Sequence, residues 1–125
     1  MREITEHQTN DCNRAIRVYA DEPDPKYGNA SHEYRAEIDA NGNAEVIYNR
    51  AIAFQRGPVK EVGVNGLTNE VLLAILIDRM RGFQSGPFAC RENALALTKL
   101  EEAFHWFEAR TRARLARGVE GTNVV

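Results

Sequence analysis

The stretch whose periodicity decides the fold is "LTNEVLLAILIDRMRGFQSGPFACRENALALTKLEEAFHWFEARTRARLARG", residues 67–118. Thr68 can cap a helix, Glu70 falls in its first turn where the helix dipole favours an anion, and Val71 to Met80 is apolar on almost every side. One neighbour cannot cover so wide an apolar surface, so the helix is expected between a sheet and either the next helix or another subunit. Gly82 and the Ser-Gly-Pro of residues 85–87 read as its end. A second helix is expected to start around Cys90 to Asn93 and to run to Gly118. Leu97, Leu100, Phe104, Phe107 and Thr111 follow the 3,4 spacing of one helical face, and Ala96, Ala103 and Trp106 widen it. Such a helix would be roughly 38 Å long. The two therefore read as an unequal hairpin whose longer arm projects toward a partner.

Upstream the period is two. Ile16 and Val18 alternate in "NRAIRVYAD", and "DEPDPKYGNAS", with Pro23, Pro25 and Gly28, forces a turn. "HEYRAEI" places His32, Tyr34, Ala36 and Ile38 on one side and Glu33, Arg35 and Glu37 on the other. "DANGN", Asp39 to Asn43, supplies an Asn-Gly turn, after which "AEVIYNRAIAF" resumes as the second strand of a hairpin. The predicted class is α+β, a small antiparallel sheet followed by a two-helix antiparallel hairpin with a long C-terminal helix. The expected division is a flexible arm over 1–13, an antiparallel β region over 14–66, the helical hairpin over 67–118 and a tail over 119–125.

A chain of 125 residues fits one domain in which a ligand pocket competes with the core for apolar residues. The formal net charge of -2 offers no global attraction to nucleic acid or an anionic membrane. The polar start "MREITEHQTN" has no signal-peptide core, and the apolar run Val71 to Ile77 is far too short for a bilayer span. A soluble intracellular protein is expected, with no membrane partner and with Cys12 and Cys90 as free thiols.

Almost the same five letters occur twice, "FQRGP" from Phe54 and "FQSGP" from Phe83. Their flanks differ, strand before one and helices around the other, so a duplicated unit is disfavoured. Two readings remain. In one, Gly-Pro punctuates the chain and Phe anchors it. In the other, Gln55, Arg56, Phe83, Gln84, Arg91 and Asn93 hold a nucleotide, because adenine can stack on Phe, pair its edge with an amide and leave its pyrophosphate to a forked cation. Arg110, Arg112, Arg114 and Arg117 are either a solvated face matched to the helix dipole or a phosphate-binding lining completed by another chain. Glu101, Glu102 and Glu108 disfavour a long nucleic-acid track.

Catalytic constellations are thin. Glu101 and Glu102 diverge on a helix, Asp78 and Glu70 are two turns apart, and His105 lies in the aromatic "FHWF". No catalytic residue, metal site or cofactor is expected. A small nucleotide-cleaving hydrolase using Asp78, Glu101 or Glu102, and a module binding nucleic acid or a host protein through the four arginines, stay open as alternatives.

The run from Gly57 to Thr122, most specifically "CRENALALTKLEEAFHWFEART", resembles the phage-encoded anti-Thoeris sponge family, which shares a helical hairpin with the anti-CBASS sponges. The resemblance implies a non-enzymatic protein, a homodimer or a homohexamer built as a trimer of dimers. It implies sequestration of a small cyclic nucleotide messenger, glycocyclic ADP-ribose, with cyclic di- or trinucleotides as further candidates. By the same resemblance Phe83 stacks on adenine, Asn93 lies beside it, Arg110 is a cation contributed along the long helix, and Arg56 and Arg91 are ligand contacts.

Overall fold

Alternation becomes a sheet. A computed structural model describes residues 1–39 and 46–125. Four strands, β1 (Arg2–Ile4), β2 (Ile16–Ala20), β3 (Glu33–Asp39) and β4 (Val46–Ala53), pair antiparallel in chain order. The register puts Ile4 opposite Val18, Val18 opposite Ala36, and Ala20 opposite Tyr34, which in turn faces Ile52. One face is thus mainly apolar, centred on the fully buried Ala20, with Tyr34 meeting Phe54 edge-on at 5.6 Å and with Arg2 and Arg50 on its two edge strands. On the other face Arg17 lies opposite Glu37, and Arg35 donates to Asn49 Oδ1 at 2.6 Å. The Asn-Gly turn expected at Asp39 to Asn43 lies outside the described residues.

The arm expected over residues 1–13 is a correction. It supplies β1, which pairs along β2, and a single helical turn, α1 (Asp11–Arg14), capped by Asn10. Side-chain contacts tie the segment down: His7 Nε2 lies 2.6 Å from the Ile16 carbonyl, Gln8 Nε2 donates to the same carbonyl at 3.4 Å, and Arg2 donates to Ser31 Oγ at 3.0 Å. β2 offers one free edge after β3 has paired with the other, and unpaired strand-edge amides and carbonyls recruit backbone whatever its side chains are.

The turn segment between β2 and β3 closes on itself. Asp24 caps a 3-10 turn over Pro25–Tyr27, Gly28 and Asn29 take positive φ of 80° and 58°, and Asp24 N donates to the Ala30 carbonyl at 2.9 Å.

The chain divides into two units, residues 1–57 with 64–66, and residues 58–63 with 67–125. The second unit holds the short α2 (Val59–Val62), α3 (Asn69–Gln84) and α4 (Arg91–Arg117). Thr68 Oγ1 accepts the Val71 amide at 3.2 Å, as its position suggested, and Gly118 ends α4 in the left-handed conformation at φ 73°. α3 and α4 form the predicted hairpin. The less exposed face of α4 runs Asn93, Leu97, Leu100, Phe104, Phe107, Thr111, Arg114, an unbroken 4,3 alternation, and α3 turns its buried Ile77 inward. Trp106, placed on the widened stripe by the sequence, is instead 71% exposed. Gly82 does not end α3. The helix runs through it to Gln84, because one glycine costs only about 1 kcal/mol in a helix and the stop comes from Ser85, whose amide reaches the Arg81 and Gly82 carbonyls.

The expected tail is a folded turn. Arg114, its side chain 11% exposed, donates to the carbonyls of Val124, Val119 and Thr122 at 2.7, 2.9 and 3.1 Å and pairs with Glu120 at 3.2 Å. The Glu120 contact is an ion pair without hydrogen-bond geometry, since Oε2 is buried and lacks a donor aligned on it. Arg117 donates to the Val125 carbonyl, and the Gly121 carbonyl accepts the Lys60 amide of α2.

Candidate functional site

Four of the six sequence-selected residues lie at the loop end of the hairpin. Phe83 and Gln84 close α3, Arg91 and Asn93 open α4, and residues 85–90 join them. The Phe83 ring is half-buried, with Phe88 edge-on at 6.5 Å and the Arg79 guanidinium 5.0 Å from its centroid. Such a ring offers a stacking surface already flanked by a cation.

Asn93 is half-buried on the inner face of α4. Its backbone amide goes to Cys90 Sγ at 3.4 Å, so the cap of this helix is the thiol, and among the described residues the Asn93 side-chain amide has no hydrogen-bond partner. Arg91 is exposed and likewise unpaired among the described residues. Gln84 differs. Its Oε1 accepts the Cys90 amide at 3.2 Å and its Nε2 donates to the Cys90 carbonyl at 3.1 Å, so both ends of the amide engage the loop.

Arg110 is exposed on α4 with no ion-pair or hydrogen-bond partner among the described residues. Seventeen helical positions separate it from Asn93, about 26 Å along the axis. One hairpin therefore cannot bring Arg110 to the Phe83 end. Its neighbours are already committed: Arg112 to Glu108 at 3.6 Å, Arg114 and Arg117 to the C-terminal turn. The four arginines are not one cationic lining.

Arg56 lies in the first unit. Its Nε and a terminal nitrogen reach the same Asp24 oxygen at 3.0 and 2.6 Å, and Asp24 is 16% exposed. The hydrogen bond from Arg56 holds the Asp24 carboxyl below its ordinary value and in return raises the guanidinium. Asn65 grips the Arg56 backbone on both sides, accepting its amide and donating to its carbonyl at 2.8 Å each. Gln55 accepts the Asn65 amide at 2.9 Å and donates to the Gly57 carbonyl at 3.1 Å. The two "FQxGP" motifs thus share one chemistry: in each, the glutamine amide bends onto the backbone of the turn that follows.

The hairpin's ends and length single it out for comparison. Residues 49–112 match the family described as Acb2/Tad1, hairpin domain. The chain belongs to that family. The chain is also 56% identical, over 72 residues covering 58% of it, to Thoeris anti-defense 1 of Bacillus phage SBSphiJ7. The chain spans about half, 51%, of that curated relative's length. No helix among the described residues of this hairpin-domain protein is long and apolar enough to cross a membrane, and none of their His, Cys, Asp and Glu side chains cluster as a metal site.

Sequence reasoning missed Arg79 and Phe88 at the hairpin end. Arg79 precedes Phe83 by four residues, one helical turn, and that spacing was the available signal. Phe88 directly follows the turn motif, where an exposed aromatic beside Gly-Pro could have been weighed.

Proposed function

We propose that this protein binds a cyclic ADP-ribose-type signalling nucleotide, glycocyclic ADP-ribose, and holds it without converting it, so that a Thoeris defence is denied its messenger. The observation that carries the reading is the loop end of the hairpin: a half-buried Phe83 ring at the end of α3 and, at the start of α4, Asn93 and Arg91 side chains without a hydrogen-bond or ion-pair partner among the described residues, in a family whose relative is named for anti-defence. The ring takes adenine on a face, the amide reads its edge, and arginine meets the pyrophosphate. Arg110 supplies a further cation only from a second copy, since its own hairpin holds it about 26 Å from Asn93. A homodimer, or a hexamer of three such dimers, completes the site, and cyclic di- or trinucleotides are further candidate ligands of the assembly. The host bacterial cytoplasm, where such messengers are made, is the proposed setting.

The test is recovery. Glycocyclic ADP-ribose is incubated with the protein, the protein is denatured by heat, and the supernatant is chromatographed. The expected result is depletion of free ligand before heating and return of the unchanged compound after it. Time-dependent loss of the compound at catalytic protein concentration would instead establish the hydrolase reading. Binding to nucleic acid is disfavoured because Arg114 and Arg117 are held by backbone carbonyls.

A further inference from the structure

Gln84 stands between the two halves of the proposed base site. It directly follows Phe83 on α3, and its amide grips Cys90, whose thiol in turn caps the Asn93 amide. The Cys90 carbonyl also accepts the Ala94 amide at 3.0 Å, so its two lone pairs serve Gln84 and the first turn of α4. Neither helix needs the glutamine to be complete. α3 is closed by Ser85 and by the Gly86 amide on the Phe83 carbonyl, and α4 is capped by Cys90 Sγ. What the Gln84 amide adds is a fixed link across the loop end of the hairpin, in parallel with the loop.

We propose that Gln84 is a positioning residue for nucleotide binding: its two-point hold on Cys90 sets the first turn of α4, carrying Asn93 and Arg91, at the separation from the Phe83 ring that a stacked base requires. It does not touch the ligand. Both heavy atoms of its amide already carry backbone bonds, which replaces the ligand contact expected from the sequence with an indirect role. The inference rests on Phe83 and Asn93 forming the base site.

The experiment is calorimetric titration of glycocyclic ADP-ribose into the full chain and into Gln84→Ala, Gln84→Met, Phe83→Ala and the Phe83→Ala/Gln84→Ala double variant, with thermal melts of each. Gln84→Ala and Gln84→Met are expected to bind about 3- to 30-fold more weakly, the worth of one to two neutral hydrogen bonds. The two should be alike, because methionine keeps the bulk and loses the bonds. In the Phe83→Ala background Gln84→Ala should change nothing further, the non-additivity of residues acting through one contact. Losses that add in the double variant would make Gln84 a direct contact and overturn the proposal. So would wild-type affinity of Gln84→Ala beside a weakened Phe83→Ala, or a loss that merely tracks the folded fraction. Wild-type affinity of Phe83→Ala would remove the base site itself, and the proposal with it.

Discussion

Phe83 and Asp24 define two different uses of a side chain, one left available and one committed. If a base stacks on Phe83, Phe83→Ala should weaken binding of glycocyclic ADP-ribose by roughly 1–3 kcal/mol, on the order of 5- to 150-fold, in a calorimetric titration. Arg110→Lys should lose more than its retained charge suggests, because the ammonium lacks the bidentate fork. Asp24 gives a pH prediction. Its carboxyl is lowered by the Arg56 hydrogen bond, so the contribution of the pair is fully present above the ordinary carboxylate value of about 3.9. It is lost as pH falls through the lowered value. Carboxyl NMR titration should show Asp24 titrating below ordinary aspartates, and Arg56→Ala should return it upward; an unchanged midpoint in Arg56→Ala would contradict the pairing.

At the scale of elements, α3 and the link before it carry two opposite glycine predictions. Gly82 lies inside α3 with nothing within 4 Å of where a Cβ would stand, so Gly82→Ala should stabilise the protein by about 0.5–1 kcal/mol in urea denaturation. Gly66 is the reverse. A Cβ there would come 2.4 Å from the Phe54 carbonyl carbon and 2.5 Å from its oxygen, both backbone atoms, so Gly66→Ala must displace the end of β4 and should destabilise strongly. α4 ends in the arginine clamp. Arg114→Ala removes three carbonyl hydrogen bonds and leaves Glu120 without its cation, an expected loss of about 2–3 kcal/mol read by the same denaturation.

For the whole molecule the open question is what meets the apolar residues α3 and α4 leave outside. Val71, Ile75 and Leu76 on α3, and Leu95, Trp106 and Leu115 on α4, are all exposed in the single chain. Exposed apolar side chains in this number favour self-association, so sedimentation at micromolar concentration should give at least a dimer. If Phe83 and Arg110 then act across copies, Phe83→Ala and Arg110→Ala chains unfolded together and refolded at equal amounts should regain about one quarter of the wild-type sites, since half the dimers are mixed and each mixed dimer holds one intact site. No recovery would show that the two residues do not complete one site across copies.

Local spacing alone determined the strands from Ile16 and from Glu33, the Thr68 cap, the Gly118 stop and the inner face of α4 from Leu97 to Thr111. Backbone bonds in helices and hairpins join residues near in sequence, so their period is written in the side chains. The Phe83 and Asn93 end of the hairpin was legible for the same reason, because a short loop brings the ends of consecutive helices together whatever else the chain does. Tertiary structure decided the rest. β1 carries no alternating apolar pattern and forms because β2 leaves an edge free. Arg56 resembles a free ligand cation until the fold sets Asp24, 32 residues away, against it. Gln84 and Gln55 look available until a turn offers them backbone groups, and Arg114 until the chain after Gly118 folds back onto it. A polar side chain's partner is whichever complementary group the fold sets within about 3 Å of it, and no local period encodes that distance.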